Sequence, residues 1–249
     1  MATTQRILVV AAHPDDIEFG VAGSVAKWAD EGAQITFCLV TDGAAGSNEP
    51  GADLAALVRL RQQEQCDAAA ILGVTDVRFL GYPDGTLQPT LELRRDLTRL
   101  IRELKPERVL ISDPTMVFAG NFYINHPDHR AAAEAALYAV FPSAGTRPIF
   151  PELLAEGYEP HDVTELWLFF TAQTDTHIDI SAQIERKVQA LLCHKSQVGP
   201  EVADMIRKWD SEAGQPHGFA FAESFKVMKL KDDQQTAPAE SPEHAPEKV

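Results

Sequence analysis

The chain has 249 residues, of which 45% are hydrophobic, and its formal net charge is -15. A chain of this length and composition can bury a full core within one domain. The negative charge excludes non-specific binding to nucleic acid and disfavours anionic membrane surfaces, and it is typical of a soluble protein.

The cysteines and the first residues indicate the compartment. Cys38, Cys66 and Cys193 lie far apart without CxxC spacing, which is typical of reduced thiols and not of a disulfide framework. The opening MATTQRILVV lacks the charged and long apolar regions of a signal peptide, and no apolar run reaches the length of a membrane span. We therefore expect a cytoplasmic protein without membrane insertion.

Apolar runs alternate with helical patterns along the first half of the chain. RILVVAA, at 6–12, is typical of a strand buried on both faces, and GVAGSVAKWADEG follows with helical spacing. The strand QITFCLVTD precedes a helix predicted over 53–72 that ends at Gly73, and VRFLG precedes a helix predicted over 90–104. With the strand RVLISDP, this alternation predicts a doubly wound, mainly parallel Rossmann-like α/β sheet with helices on both faces.

The second half contains fewer clear elements. An alanine-rich helix is predicted from Pro127 to about Val140, ELWLFF and HIDI are predicted as strands, and a further helix is predicted over 181–194. The end of the chain is rich in proline and acidic residues and has almost no large apolar groups, which is typical of disorder. We predict one α/β domain over 1–230 and a disordered tail over 231–249.

Coordinating side chains follow two of the predicted strands. His13, Asp15 and Asp16 come directly after the first strand, and His126 and His129 are spaced i,i+3 at the start of the alanine-rich helix. Ligands of doubly wound sheets collect at the carboxyl ends of the strands, and imidazole and carboxylate groups are good zinc ligands. Each motif alone also suits a capped helix start, but together they predict a metal site.

These residues and several other segments resemble a known family. AHPDD at 12–16, continued by IEFGVAGSVA, and HPDH at 126–129 resemble the PIG-L/LmbE family of zinc-dependent N-deacetylases. The segments VTDGAAGS, RQQEQCDAAAILGV, FLGYPDGTL and CHKSQ extend the resemblance over most of the chain. The resemblance implies a hydrolase that removes the N-acetyl group from an amino sugar of the N-acetylglucosamine type, or from its conjugate.

The resemblance also implies roles for the clustered residues. His13, Asp16 and His129 are expected to hold Zn²⁺, although Fe²⁺ also suits two nitrogens and a carboxylate. Asp15 is expected to act as general base beside the metal, because a zinc ion lowers the pKa of water and polarises the carbonyl that is attacked. His126 is expected either to stabilise the oxyanion, if protonated, or to protonate the leaving amine.

Further expectations concern the substrate and the assembly. By resemblance, Arg61 and Asp84 contact hydroxyls of a small amino-sugar substrate, and the protein forms a homo-oligomer. Asp128 is either an acceptor that orients an imidazole or a helix N-terminal acid, and the roles of Ser196 and Gln197 stay open.

Three other functions compete with this one. An amidase that acts on a larger sugar-thiol conjugate belongs to the same family, and a non-catalytic α/β protein could retain the metal site for stability or sensing. A nucleotide-binding Rossmann protein is disfavoured because the first turn lacks GxGxxG and the two aspartates would repel a pyrophosphate unless a metal intervened.

Overall fold

The computed structural model describes residues 4–231 of the chain. The strands are β1 Arg6–Ala11, β2 Gln34–Thr41, β3 Asp76–Tyr82, β4 Arg108–Ser112, β5 Phe118–Ala119, β6 Tyr123–Ile124, β7 Glu165–Phe169, β8 Thr176–Asp179 and β9 Ala222–Lys229. The helices are α1 Asp16–Gly20, α2 Ala22–Asp30, α3 Leu54–Leu72, α4 Leu91–Leu104, α5 Pro127–Tyr138, α6 Glu152–Ala155, α7 Ile184–Leu191 and α8 Val202–Gly214. A π-helical turn, Ala139–Ser143, follows α5, and a 3-10 turn, Gln215–His217, follows α8.

The tail predicted to be disordered lies outside the described residues, apart from Lys231. The division of the chain at residue 230 therefore stays a prediction. None of the helices between residues 4 and 231 combines the length and the apolar character needed to cross a lipid bilayer.

One seven-stranded sheet has the order β3-β2-β1-β4-β7-β9-β8, and β5 and β6 form a separate antiparallel hairpin. Neighbouring strands from β3 to β7 are parallel, whereas β9 runs antiparallel to both β7 and β8. The predicted mainly parallel α/β sheet is confirmed. The sequence patterns did not reveal β9 or α8.

Strand β1 lies at the centre of the sheet because it is apolar throughout its buried length. Leu8 and Val10 pack against α4 and α5 on one face, and Ile7 and Val9 pack against α1, α2 and α3 on the other. Side chains of a strand alternate between the two faces of a sheet, so a continuous apolar run serves two cores.

Several helix boundaries follow from their capping residues. The Asp53 side chain accepts a hydrogen bond from the Ala56 backbone N–H at 2.9 Å, and Gly73 ends α3 with a φ of 86°. The helix predicted over 181–194 is shorter, because α7 ends at Leu191. His194 therefore lies in the turn after this helix, where it is fully buried.

The strand order reverses at β1, which pairs with β2 on one side and with β4 on the other. In open α/β sheets this reversal opens a crevice at the carboxyl ends of the strands. The loop after β1 leads directly into α1, and α5 follows β4. Both predicted metal-binding motifs therefore reach the same crevice.

Candidate active site

The loop between β1 and α1 brings His13 and Asp16 together. The His13 backbone N–H donates to Asp16 Oδ2 at 2.8 Å, which fixes the carboxylate against the loop. His13 Nδ1 lies 3.4 Å from the same oxygen. Both residues are buried, so this contact lies in a region of low effective dielectric.

The first turn of α5 adds His129 to the pair. Its Nε2 lies 3.0 Å from Asp16 Oδ1, and the three potential ligand atoms of His13, Asp16 and His129 lie within 4.8 Å of one another. Two imidazole nitrogens and one carboxylate oxygen form a donor set found in catalytic zinc sites. The residues present therefore fit a divalent metal ion.

The charges of this cluster favour a cation. Burial opposes ionisation of Asp16, but the imidazoles of His129 and His13 outweigh it and hold the pKa of Asp16 well below its usual range. Burial also opposes protonation of His13, yet the carboxylates of Asp16 and Asp128 raise its pKa to about 12. The carboxylates thus favour a positive charge beside the imidazoles. Either protons on the rings or a bound metal ion can provide that charge.

Asp15 lies beside the three residues in a strained backbone conformation. Its φ is 105°, a left-handed value that is uncommon for a residue other than glycine. Its backbone N–H donates to Gln65 Oε1 at 3.1 Å, and Arg61 Nη2 donates to Asp15 Oδ2 at 3.3 Å. Burial and the adjacent charge of Asp16 raise the pKa of Asp15 to about 7, against the opposing effect of Arg61.

A network of buried polar side chains, which begins at Gln65 of α3, holds the backbone of Asp15 in place. Gln65 Nε2 donates to Glu18 Oε1 at 2.9 Å, and Glu18 Oε2 pairs with His194 Nε2 at 3.1 Å. Glu18, Gln65 and His194 are all fully buried. Ser196, in the predicted CHKSQ signature, donates its hydroxyl to Glu64 Oε2 at 2.6 Å. Through His194 and Ser196, this signature therefore contacts α1 and α3, the two helices that hold Asp15.

Arg61 and Asp84 also reach this region. The Arg61 guanidinium is buried and donates to the carbonyl oxygens of Gly43 at 2.9 Å and Pro14 at 2.7 Å. Asp84 Oδ1 lies 3.1 Å from His13 Nε2. Both side chains thus contact the loops of the site, and their predicted contacts with a sugar stay a prediction.

Asp128 contacts both His13 and the neighbouring loop. Its carboxylate accepts from the backbone N–H groups of Gly85 at 2.7 Å and Leu87 at 3.1 Å, and Oδ2 lies 3.4 Å from His13 Nε2. Of the two roles left open by the sequence, the fully buried carboxylate fits the acceptor that orients an imidazole.

His126 caps α5. Its Nδ1 accepts from the Asp128 backbone N–H at 3.2 Å, which assigns the proton of the neutral ring to Nε2. Burial and the positive charge at His13 lower the pKa of His126. The ring lies 4.7 Å from that of His13, between ring centroids. A neutral His126 still offers Nε2–H as a donor, so protonation of the ring is not required for that role.

Two residues near His129 were not identified from the sequence. Asn125 Oδ1 lies 3.0 Å from His129 Nδ1, which leaves Nε2 toward Asp16. The Phe170 ring stacks on the imidazole with centroids 6.3 Å apart. Asn125 directly precedes the HPDH motif, so its place in the sequence could have indicated a role at this site. Phe170 follows β7, far from both motifs in the sequence, and no local pattern indicated its position.

Comparisons with known proteins show which family this chain resembles over most of its length. The model of the family described as GlcNAc-PI de-N-acetylase, PIG-L, matches residues 8–140. The diacetylchitobiose deacetylase of Thermococcus kodakarensis is 30% identical over 90% of this chain and 83% of its own length. A probable N-acetyl-alpha-D-glucosaminyl L-malate deacetylase 2 of Bacillus anthracis is 28% identical over 93% of this chain and 99% of its own length.

A solved structure is similar over the same range. The N,N'-diacetylchitobiose deacetylase from Pyrococcus horikoshii superposes with a TM-score of 0.83 at 27% identity, over 90% of this chain and 84% of that one. The predicted class of enzyme, an N-deacetylase, is confirmed by these relationships. The chain belongs to the PIG-L family of de-N-acetylases.

Proposed function

We propose that the protein is a zinc-dependent hydrolase that removes the acetyl group from the nitrogen of an N-acetylglucosamine-type sugar or sugar conjugate. The observation that carries the proposal is the convergence of His13, Asp16 and His129. The carboxylate of Asp15 lies beside them and is not needed as a ligand. The relatives that act on diacetylchitobiose and on N-acetylglucosaminyl malate support the substrate class.

In this proposal His13, Asp16 and His129 hold the metal, and Fe²⁺ suits the same donor set. A bound divalent metal supplies a Lewis acid that polarises a carbonyl and lowers the pKa of water. Asp15 accepts a proton from the attacking water. His126 Nε2–H donates to the carbonyl oxygen as negative charge develops there, or to the departing nitrogen.

Arg61 and Asp84 are proposed to contact substrate hydroxyls at the edge of the site. Both side chains already contact loop atoms of the protein. A substrate hydroxyl would therefore form additional hydrogen bonds to the same guanidinium and carboxylate groups. Glycan hydroxyls both donate and accept, which suits a guanidinium next to a carboxylate. The homo-oligomeric assembly expected from the resemblance stays a prediction.

Metal content and amine release test the proposal together. The purified wild type is expected to hold about one zinc per chain, His13→Ala is expected to lose it, and His217→Ala, an exposed histidine outside the site, is expected to retain it. N-acetylglucosamine and N,N'-diacetylchitobiose serve as substrates, with the released amine measured.

Asp15→Asn separates catalysis from metal binding. We expect it to retain zinc while kcat falls by about 10²- to 10⁴-fold, because a neutral amide cannot accept the proton. Retained activity in Asp15→Asn would exclude Asp15 as the base. A metal-loaded wild type that cleaves neither substrate nor a larger N-acetylated sugar-thiol conjugate would favour the non-catalytic alternative.

A further inference from the structure

An apolar cavity of about 560 Å³ opens beside the proposed metal ligands. It borders Asp15, Asp16 and His129. Large apolar or aromatic side chains from α1, the β5-β6 region, the end of β7 and α8 form much of its wall: Phe19, Met116, Phe122, Tyr123, Phe170 and Trp209.

Two polar side chains of the wall, Thr171 and Asn125, are paired with protein atoms. Thr171 donates its hydroxyl to Asp113 Oδ2 at 2.6 Å. Asn125 donates from Nδ2 to the Met116 carbonyl oxygen at 2.8 Å and uses Oδ1 for His129. Apart from the proposed active-site carboxylates, the Tyr123 hydroxyl and the Trp209 indole N–H are the side-chain groups of the wall left to bond a sugar ring. Most hydroxyls of a sugar buried here would therefore lack partners, which is costly, whereas a hydrocarbon chain needs none.

The position of His126 indicates which part of an amide faces the cavity. We take His126 in the second of its two proposed roles, as donor to the departing nitrogen. It does not border the cavity, whereas Asp15, the proposed base, does. An amide bound between them directs its nitrogen, and the sugar attached to it, toward His126. Its acyl carbon then carries the remaining substituent toward Phe19, Phe170 and Trp209.

We propose that this cavity binds the acyl chain of the substrate, and that the enzyme hydrolyses N-acyl amino sugars whose chains are longer than acetyl. The inference rests on the proposed function. The reaction is balanced by water alone: its oxygen bonds to the acyl carbon, the C–N bond breaks, the chain leaves as a carboxylate, and the amine takes a proton.

A series of N-acyl glucosamines tests the inference. With N-acetyl-, N-butyryl-, N-hexanoyl- and N-octanoylglucosamine, we expect kcat/KM to rise by about threefold to fourfold per added methylene until the cavity is filled. Trp209→Ala is expected to flatten this dependence, Trp209→Phe to keep most of it, and the exposed Leu91→Ala to leave it unchanged.

Binding of the carboxylate product gives a readout that does not depend on turnover. Trp209 is 50% exposed, whereas Trp28 and Trp167 are each only 6% exposed. Octanoate is therefore expected to shift the tryptophan emission of the wild type saturably to the blue, acetate at the same concentration to leave it unchanged, and Trp209→Phe to abolish the shift.

The outcomes distinguish this inference from the proposed function. Cleavage of N-acetylglucosamine with no gain for longer acyl chains would overturn the inference and leave the proposed function standing. A gain for octyl N-acetylglucosaminide but not for N-octanoylglucosamine would assign the cavity to the aglycone and overturn the acyl assignment. No cleavage of any amide by the metal-loaded enzyme would refute the proposed function, and octanoate binding would still decide whether the cavity accepts an acyl chain.

Discussion

Lys187 of α7, Asp210 of α8 and Glu223 of β9 form a buried charged cluster, and we predict that the Asp210 carboxylate destabilises the fold. Lys187 is fully buried, and its Nζ lies 2.8 Å from Glu223 Oε1 and 2.9 Å from Asp210 Oδ2. Glu223 also accepts from the backbone N–H groups of Gly23 at 2.9 Å and Ser24 at 2.7 Å. In the described part of the chain, Asp210 has no such backbone donors, so it depends on the shared ammonium group.

The energetic cost follows from the pKa of Asp210. Burial raises this pKa from 3.8 to about 6, Lys187 opposes the rise, and the charge of Glu223 adds to it. Because a tenfold change in proton affinity corresponds to about 1.4 kcal/mol, ionised Asp210 costs the folded state up to about 3 kcal/mol. The pKa is higher in the folded state, so the cost is absent below pH 3.8 and grows until the pH passes about 6.

Asp210→Asn is therefore expected to raise the free energy of unfolding by about 1–3 kcal/mol near neutral pH, with the gain disappearing near pH 4. Lys187→Met is the control of opposite sign, because it leaves two buried carboxylates without a cation and is expected to cost about 3–5 kcal/mol. Urea unfolding at several pH values measures both. An Asp210→Asn variant that loses stability at neutral pH would show that the carboxylate is a needed partner and refute the reasoning.

Three further predictions concern the site. Asn125→Ala is expected to weaken metal affinity by about 10- to 100-fold, because His129 loses the partner that orients it, and unchanged affinity in a chelator competition would contradict this. Gln65→Leu is expected to lower kcat by about 10- to 100-fold with metal retained, through misplacement of Asp15, and steady-state kinetics with unchanged kcat would exclude that positioning role. The free energy of unfolding of Asp15→Gly, measured with urea, is expected to exceed that of Asp15→Ala by about 1 kcal/mol or more, because only glycine adopts the positive φ without strain. Equal stabilities would argue against strain at this position.

The parallel part of the fold was predictable because its signals are local. Strand β1 is an uninterrupted apolar run, and Asp53 and Gly73 mark the two ends of α3. Strand β9, AESFKVMK, intersperses charged residues with apolar ones and pairs antiparallel within the sheet. It therefore lacks the continuous apolar pattern by which the buried parallel strands are recognised.

The site divides in the same way. His13, Asp16, His126 and His129 lie in two short motifs that each follow a strand, so the alternating pattern was sufficient to bring them to one edge of the sheet. The contact between Glu18 and His194 joins residues 176 positions apart. Nothing in the local sequence specifies such a pairing, because it depends on how α7 packs against α1 and α3.

The strain at Asp15 connects this packing to the chemistry. A non-glycine residue with a φ of 105° stores about 1–3 kcal/mol and persists only where its surroundings over-determine it. Here α3 supplies the constraint: Gln65 accepts from the Asp15 N–H, and Arg61 donates to both the Pro14 carbonyl oxygen and Asp15 Oδ2. Since these anchors also hold the carboxylate toward α3, the same contacts that offset the strain keep Asp15 in place for its proposed role as a base beside the proposed metal ligands.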